Sequence, residues 1–384
     1  MSARPRVVVA MSGGVDSSVA AALLVREGFD VIGVTLQIWP EGMKPPGRHV
    51  GCCSLDAVTD ARRVADRLGI AYYVFNFQDV FAESVIGPFT RAYLQGRTPN
   101  PCVWCNERVK FGALADRAVQ LGAQALATGH YARVEQDPQS GRYLLLRPKD
   151  RRKDQTYALW PLTQAQLQRV LFPLAPYTKE EVRELARALR LPVASKPESQ
   201  EICFIPDGDY RRYLLENAPE ARQPGEIVDT SGRVLGEHDG VAFFTVGQRK
   251  GLGLAAGRPL YVVDIDPVRR RVVVGERTEA EAWGLEASGV NWIAVPGLYG
   301  PMRVEARIRR TAADAAAIIE PVDAPDPKSR VRCLFDSPQW AVTPGQSVVW
   351  YRDDVVVGGA IISRALKAVE SAAHTTPVEA SASK

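Results

Sequence analysis

The chain has 384 residues, 46% of them hydrophobic and 24% charged, with a formal charge of +4. This is the balance of a globular protein of two or three domains at ~100–200 residues each, and its slight basic excess neither demands nor excludes a nucleic-acid partner. The longest uninterrupted apolar run, Val19–Val25, falls far short of the ~20 residues of a membrane span, and six cysteines make no disulfide framework. Met1–Pro5 lead straight into an apolar run, so no secretory leader is expected and the compartment is read as cytoplasmic.

In chain order, RVVVA (6–10) reads as a strand, and Ser17 to Gly28 as a helix with apolar residues at 19, 20, 23 and 24. VIGVTLQIW (31–39) is a second strand, 55–69 a helix with Val58, Ala61, Val64, Ala65 and Leu68 on one face, and AYYVFNF (71–77) a third strand. A helix over 108–122, a strand at ALATG (125–129) and a helix over 178–191 follow, the last with Thr178 as N-cap and Glu181 three residues on. This alternation predicts a doubly wound parallel sheet covered by helices on both faces. After about residue 211 helix signals fade, and short strands between Gly, Pro and Asp turns take over: GEIVD, GRVLGEH, AFFTVGQ, PLYVVDID and RRVVVGE, then MRVEARIRR, RVRCLF, QSVVWY and VVVGGAII. The expected organisation is a catalytic α/β domain (1–210), a small β-rich central domain (211–280), a C-terminal β-barrel (281–367) and a small-residue polar tail (368–384) read as disordered.

The sharpest motif lies between the first strand and the first helix: Ala10, Met11, Ser12, Gly13, Gly14, Val15, Asp16 and Ser17. Glycines let the backbone turn tightly, and amides at a helix N-terminus attract an anion. Ser12, Ser17 and Ser18 add hydroxyls. An aspartate among phosphate-binding donors repels the ligand unless it holds a cation, which makes Asp16 a candidate magnesium partner. The loop lacks the Walker A lysine and is not G-x-G-x-x-G. It resembles the S-G-G-x-D-S loop of the N-type ATP pyrophosphatases (the PP-loop superfamily), which cleave ATP to AMP and pyrophosphate on very different acceptors.

Six further blocks follow in order: RTPNPCVWCNERVKF (97–111), ATGHYARV (127–134), KDQTYAL (153–159), SQEICFIP (199–206), TVGQRKGLG (245–253) and AVTPGQSVVWY (341–351). Together they resemble the tRNA-specific 2-thiouridylase family over residues 6–365. The resemblance implies an adenine-nucleotide α-hydrolase-like sheet and a barrel that grips the tRNA anticodon arm. The implied activity is that of a sulfurtransferase placing sulfur on C2 of the wobble uridine of Lys, Glu and Gln tRNAs. ATP would adenylate the C2 oxygen, releasing pyrophosphate. A persulfide on Cys203 would then supply sulfur, Cys105 would free it by closing a Cys105–Cys203 disulfide that a reductant reopens, and AMP would leave. The persulfide would come from a sulfur donor such as a cysteine desulfurase or a relay protein. Cys105, read as preceding a helix from Arg108 with Arg108 and Lys110 nearby, sits where a thiol pKa of ~8.5 is lowered.

By the same resemblance, Leu36 and Gly129 line the adenine pocket, and Asn100, Pro101 and Cys102 touch the target base. His130, Lys153, Asp154, Gln155, Arg307, Ile308 and Gln346 contact the tRNA. MRVEARIRR is expected to turn Val304, Ala306 and Ile308 inward and Arg303, Glu305, Arg307 and Arg309 outward. Cys102 departs from the family, many members of which carry aspartate there, and a thiol hydrogen-bonds only weakly. Cys102, Cys105 and Cys203 would alternatively ligate an iron–sulfur cluster with one iron open to sulfide. The four histidines show no zinc-ligand spacing. Cys52 and Cys53 are assigned nothing. The competing readings are another PP-loop adenylating enzyme, or a tRNA-binding protein that keeps ATP only as a structural ligand.

Overall fold

The computed structural model describes residues 4–39, 55–197, 202–205, 207–322 and 330–367. Cys52, Cys53 and the 368–384 tail lie outside the described residues.

β1 (Arg6–Ala10), β2 (Asp30–Gln37), β3 (Ala71–Asn76) and β4 (Ala125–Thr128) are the expected strands. A hairpin follows, β5 (Arg133–Gln136) and β6 (Tyr143–Leu146), and then the short β7 (Val170–Leu171). The first sheet has the order β3-β2-β1-β4-β7, parallel at every pair. Val7, Val8 and Val9 of β1 are at most 1% exposed, the continuous apolar run of a strand covered on both faces. Helices Val15–Arg26 (α1) and Leu55–Leu68 (α2) cross between strands. The order reverses between β1 and β4, where the sheet opens a crevice at its carboxyl edge.

The helix expected from residue 108 begins at Pro101 and runs to Gln120, with a π-helical stretch at Cys105–Ala113. Proline at the first helical position presets φ, and the wide π turn changes the spacing of the buried residues Val103, Val109, Phe111 and Leu114. The reading at 3.6-residue spacing therefore recognised only the later part. Thr178 and Glu181 form the expected reciprocal capping box on helix Lys179–Ala188.

The β-rich part opens on a helix the sequence reading missed, Tyr210–Asn217. The central sheet comprises β8 (Gly225–Asp229), β9 (Val234–His238), β10 (Tyr261–Asp266) and β11 (Arg271–Gly275) in the order β10-β11-β8-β9, with β11 and β8 parallel. AFFTVGQ is not a strand. Val241–Phe243 form a single 3-10 turn whose three side chains are buried. The last six strands are β12 (Glu281–Trp292), β13 (Met302–Arg307), β14 (Ala315–Pro321), β15 (Val331–Trp340), β16 (Ser347–Arg352) and β17 (Val355–Leu366). They run β12-β15-β14-β13-β16-β17, and β12 pairs back onto β17, so the sheet closes into a six-stranded barrel. The β5–β6 hairpin of the first domain adds to the barrel sheet through Leu146 and Val355. In β13, Val304 and Ala306 point inward as expected, followed by the buried Ile308.

Candidate active site

The carboxyl ends of β1, β2 and β4 bring Ala10, Leu36 and Thr128 to one edge, so the 11–14 loop, Leu36 and Gly129 gather at the crevice. The loop is built tightly. Gly13 turns at φ 65°, and a Cβ there would lie 2.2 Å from the Ala57 carbonyl oxygen of α2. Gly129 has the same kind of constraint, since a Cβ would meet the Ser17 backbone nitrogen at 2.6 Å. Its side-chain-free Cα lets the strand after the crevice touch the start of α1. Ser17 Oγ accepts from the Ser12 amide (3.1 Å), Ser18 Oγ donates to the Gly14 carbonyl (2.7 Å), and Thr35 Oγ1 donates to the Met11 carbonyl (2.7 Å). Ser18 is fully buried, so its hydroxyl builds the loop and is not a ligand donor. Gly14, the N-cap of α1, has no side chain with which to bond the first amides of the helix.

Two lysines that the sequence reading missed converge on this loop. Lys179 Nζ lies 2.6 and 2.8 Å from the Asp16 carboxylate oxygens, and Tyr131 Oη donates to the same carboxylate at 2.9 Å. Lys196 Nζ donates to the Gly13 carbonyl (3.0 Å) and pairs with Asp60 (2.7 Å). One signal for Lys179 was legible. A cation at the first helical position opposes the helix dipole, a local conflict of the kind that marks functional sites, and the structure adds that this lysine is only 5% exposed. Asp16, with its side chain 32% exposed, fits a magnesium ion, which takes one or two carboxylates and completes its shell with phosphate oxygens and water.

The 101–120 helix carries the cysteine pair. Cys102 is exposed in its first turn, whereas Cys105 is half-buried one turn later, inside the helix rather than ahead of it. Arg108 bonds the Ser84 carbonyl (3.2 Å) and lies over the Trp104 ring, and Lys110 bonds Asn106 (3.1 Å). Cys203 packs, with Cys105, Ala10 and Leu36, against the core that runs under the crevice. It is anchored by its neighbour Phe204, whose ring meets Phe81, Phe89 and Tyr213 edge-on at 5.7, 5.1 and 5.5 Å. Among the described residues no three His, Cys, Asp or Glu side chains come together to hold a metal ion.

His130 sits beside the loop with Nδ1 2.6 Å from Thr128 Oγ1 and its ring against both Phe111 and Phe172, which also meet each other. Burial, and then the Lys110 charge, hold its pKa well below the ordinary value, so the imidazole is neutral at pH 7. Several residues expected at the tRNA are engaged within the protein. Asp154 accepts from Arg307 (3.0 Å) and Thr156, and Arg307 also pairs with Asp314 (2.7 Å). Arg147 joins Asp314 at 2.7 Å and lies 3.9 Å from the centre of the Tyr351 ring. Gln155 accepts from the Tyr131 amide, and Ile308 is 4% exposed. Gln346 donates to the Thr98 and Pro99 carbonyls. Lys153 lies half-buried in the 151–153 turn, whereas Arg249 and Lys250 are exposed on the 247–253 loop.

A parallel α/β sheet with a Ser-Gly-Gly-Val-Asp-Ser loop at its switch point defines a nucleotide-binding domain of the PP-loop class. Matches to family models follow the three sheets. A tRNA methyl transferase HUP domain model covers residues 5–207, a tRNA methyl transferase PRC-barrel domain model 211–276, and an aminomethyltransferase beta-barrel domain model 283–362. The tRNA-specific 2-thiouridylase MnmA of Heliobacterium modesticaldum is 56% identical over 94% of this chain and 93% of its own length. That of Carboxydothermus hydrogenoformans is 53% identical over 94% and 99%. A 4-thiouridine synthetase–RNA complex with bound ATP aligns over 56% of this chain and 51% of its own at 19% identity and a TM-score of 0.35. The methyltransferase wording of the models and the thiouridylase names of the relatives differ, and identity above half along nearly the whole chain decides between them. The chain belongs to the tRNA-specific 2-thiouridylase family.

Proposed function

We propose that this chain thiolates C2 of the wobble uridine in tRNA, with Lys, Glu and Gln tRNAs as the expected substrates. ATP binds on the 10–17 loop with its adenine toward Leu36 and Gly129, and the loop amides and Lys196 meet the pyrophosphate portion. Magnesium, held by Asp16, would neutralise charge on the departing pyrophosphate. Asn100, Pro101 and Cys102 hold the uracil while its C2 oxygen attacks the α-phosphorus, forming an O–P bond as pyrophosphate leaves. The terminal sulfur of a Cys203 persulfide then bonds to C2, and AMP departs with the original oxygen. The Cys105 thiolate attacks Cys203 Sγ, which breaks the S–S bond to the transferred sulfur and leaves a Cys105–Cys203 disulfide for an external thiol to reduce. A cysteine desulfurase or relay protein recharges Cys203.

The observation that carries this reading is the packing of Ala10 at the start of the phosphate loop, Leu36, Cys105 and the Phe204-anchored Cys203 against the same hydrophobic core. The test is anaerobic assay of iron-free protein with ATP, magnesium, a sulfur donor, reductant and unmodified tRNA, with 2-thiouridine read by mass spectrometry. Product is expected without iron, and Cys203→Ala is expected to release pyrophosphate while making none. Product only after cluster reconstitution would establish the iron–sulfur route, and tRNA binding with no pyrophosphate release would leave a non-catalytic binder.

A further inference from the structure

The segment Thr98–Pro101 has a structural problem that its own sequence cannot solve. Pro99 and Pro101 lack N–H groups, so the segment cannot enter a regular hydrogen-bond ladder, and its carbonyls need donors from elsewhere. Those donors come from the barrel. Gln346 Nε2 donates to the Thr98 carbonyl at 3.0 Å and to the Pro99 carbonyl at 3.2 Å. In return, the Thr98 amide donates to the Pro344 carbonyl at 3.0 Å. Gly345 lies against the segment at φ 93°, where a Cβ would meet the Thr98 carbonyl oxygen at 2.9 Å. The barrel turn is itself fixed to β17, because the Gly345 amide donates to the Ile362 carbonyl (2.9 Å) and the Ile362 amide to the Gln346 carbonyl (2.8 Å). From the central domain, Thr245 Oγ1 reaches Thr98 Oγ1 at 3.2 Å. The segment ends at Asn100, the N-cap of the 101–120 helix, whose side chain makes no capping hydrogen bond.

We propose that Gln346 is a positioning residue for the Asn100–Cys102 segment, acting through the Thr98 and Pro99 carbonyls, with Gly345 and Thr245 completing a clamp from the other two domains. The proposal rests on the functional reading above, in which this segment holds the target uracil. Under it, Gln346 sets the geometry of the base-holding loop before RNA arrives, a role distinct from the direct RNA contact that the family resemblance implies for it. The two roles differ in what they do to rate and to affinity.

The test is single-turnover thiolation at saturating enzyme, with the tRNA Kd and the melting temperature measured alongside, for Gln346→Leu and Thr245→Val. Misplacement of a reacting group by about 1 Å costs on the order of 100-fold in rate. Gln346→Leu, which loses both donors but keeps its packing, is expected to lower the saturated rate about tenfold or more, with Kd within about twofold of wild type. Thr245→Val is expected to give a smaller loss, about threefold, in the same readout; it decides the matter if Gln346→Leu does not fold. A several-fold rise in Kd with the saturated rate intact would overturn the proposal in favour of direct RNA contact. An unchanged rate and Kd would overturn it as well. Wild-type protein that makes no 2-thiouridine would instead refute the functional reading.

Discussion

The phosphate loop and the Thr98–Pro101 segment are both short turns feeding the N-terminus of a helix, yet they are held in place in opposite ways. The phosphate loop is largely self-assembled: Ser12, Gly14, Ser17 and Ser18 bond one another within seven residues. The Thr98–Pro101 segment is held mainly from the other domains, by residues some 150 and 250 positions away. A site that must present a fixed row of amides to phosphate in every turnover gains from local construction. On the proposed function, a site that acts on one base of a large RNA gains from being tied to the domain that would grip that RNA. The two regions therefore differ in how far a single substitution should reach.

Three substitutions would break or sharpen this contrast. The largest effect is expected from Lys179→Met, the distant element on which the self-built loop does depend. Removal of the cation leaves the Asp16 carboxylate without its ion-pair partner at the helix N-terminus. A stability loss of about 1–2 kcal/mol is expected, discounted from fully buried pairs because Asp16 is partly exposed, and tRNA-dependent pyrophosphate release should fall about 100-fold. A variant with normal pyrophosphate release would confine Lys179 to a structural role.

Next in size is Gly129→Ala. Its methyl would press on the Ser17 nitrogen and Asp16, at an overpacking cost of about 1–3 kcal/mol. Measured by titration, ATP affinity should fall while tRNA affinity stays within about twofold, and the reverse pattern would dissolve the distinction between the two regions.

The smallest effect concerns the Arg147–Asp154–Arg307–Asp314 network between the first domain and the barrel. Burial works against the Asp314 charge, but hydrogen bonds from Arg307 and Arg147 outweigh it and hold its pKa below the ordinary carboxylate value. A depressed folded-state pKa contributes stability that is present above the unfolded value and lost as pH falls through the folded one. Asp314→Asn should therefore cost about 1–2 kcal/mol at pH 7. Its melting temperature should converge on that of wild type as the pH is lowered toward 3, and a gap that is the same at both pH values would remove Asp314 ionisation as the cause.

Much was legible in the sequence because it was local. The β-branched runs of β1 and β2, the Thr178–Glu181 capping box and the inward alternation of Val304, Ala306 and Ile308 each follow from neighbours a few residues apart. The start of the 101–120 helix was not legible, since its α-helical first turn, Pro101–Trp104, is too short to show a period before the π-helical stretch shifts the spacing. Strands β12 and β14 and the 3-10 turn at Val241–Phe243 were misread or missed because apolar content alone does not separate a strand from a buried turn.

The sequence by itself determined the phosphate loop, the alternation that makes a parallel sheet, the cysteines at 102, 105 and 203, and the family to which they point. Each is a property of residue types at short spacing. Only the tertiary structure decided that Lys179 and Lys196 meet the phosphate loop, that Arg307 and Asp154 face each other, and that Gln346 holds Thr98 and Pro99. Those pairings bridge 153 to 248 positions, and contacts across such distances are set by how the three sheets pack, a choice that no local window of sequence contains.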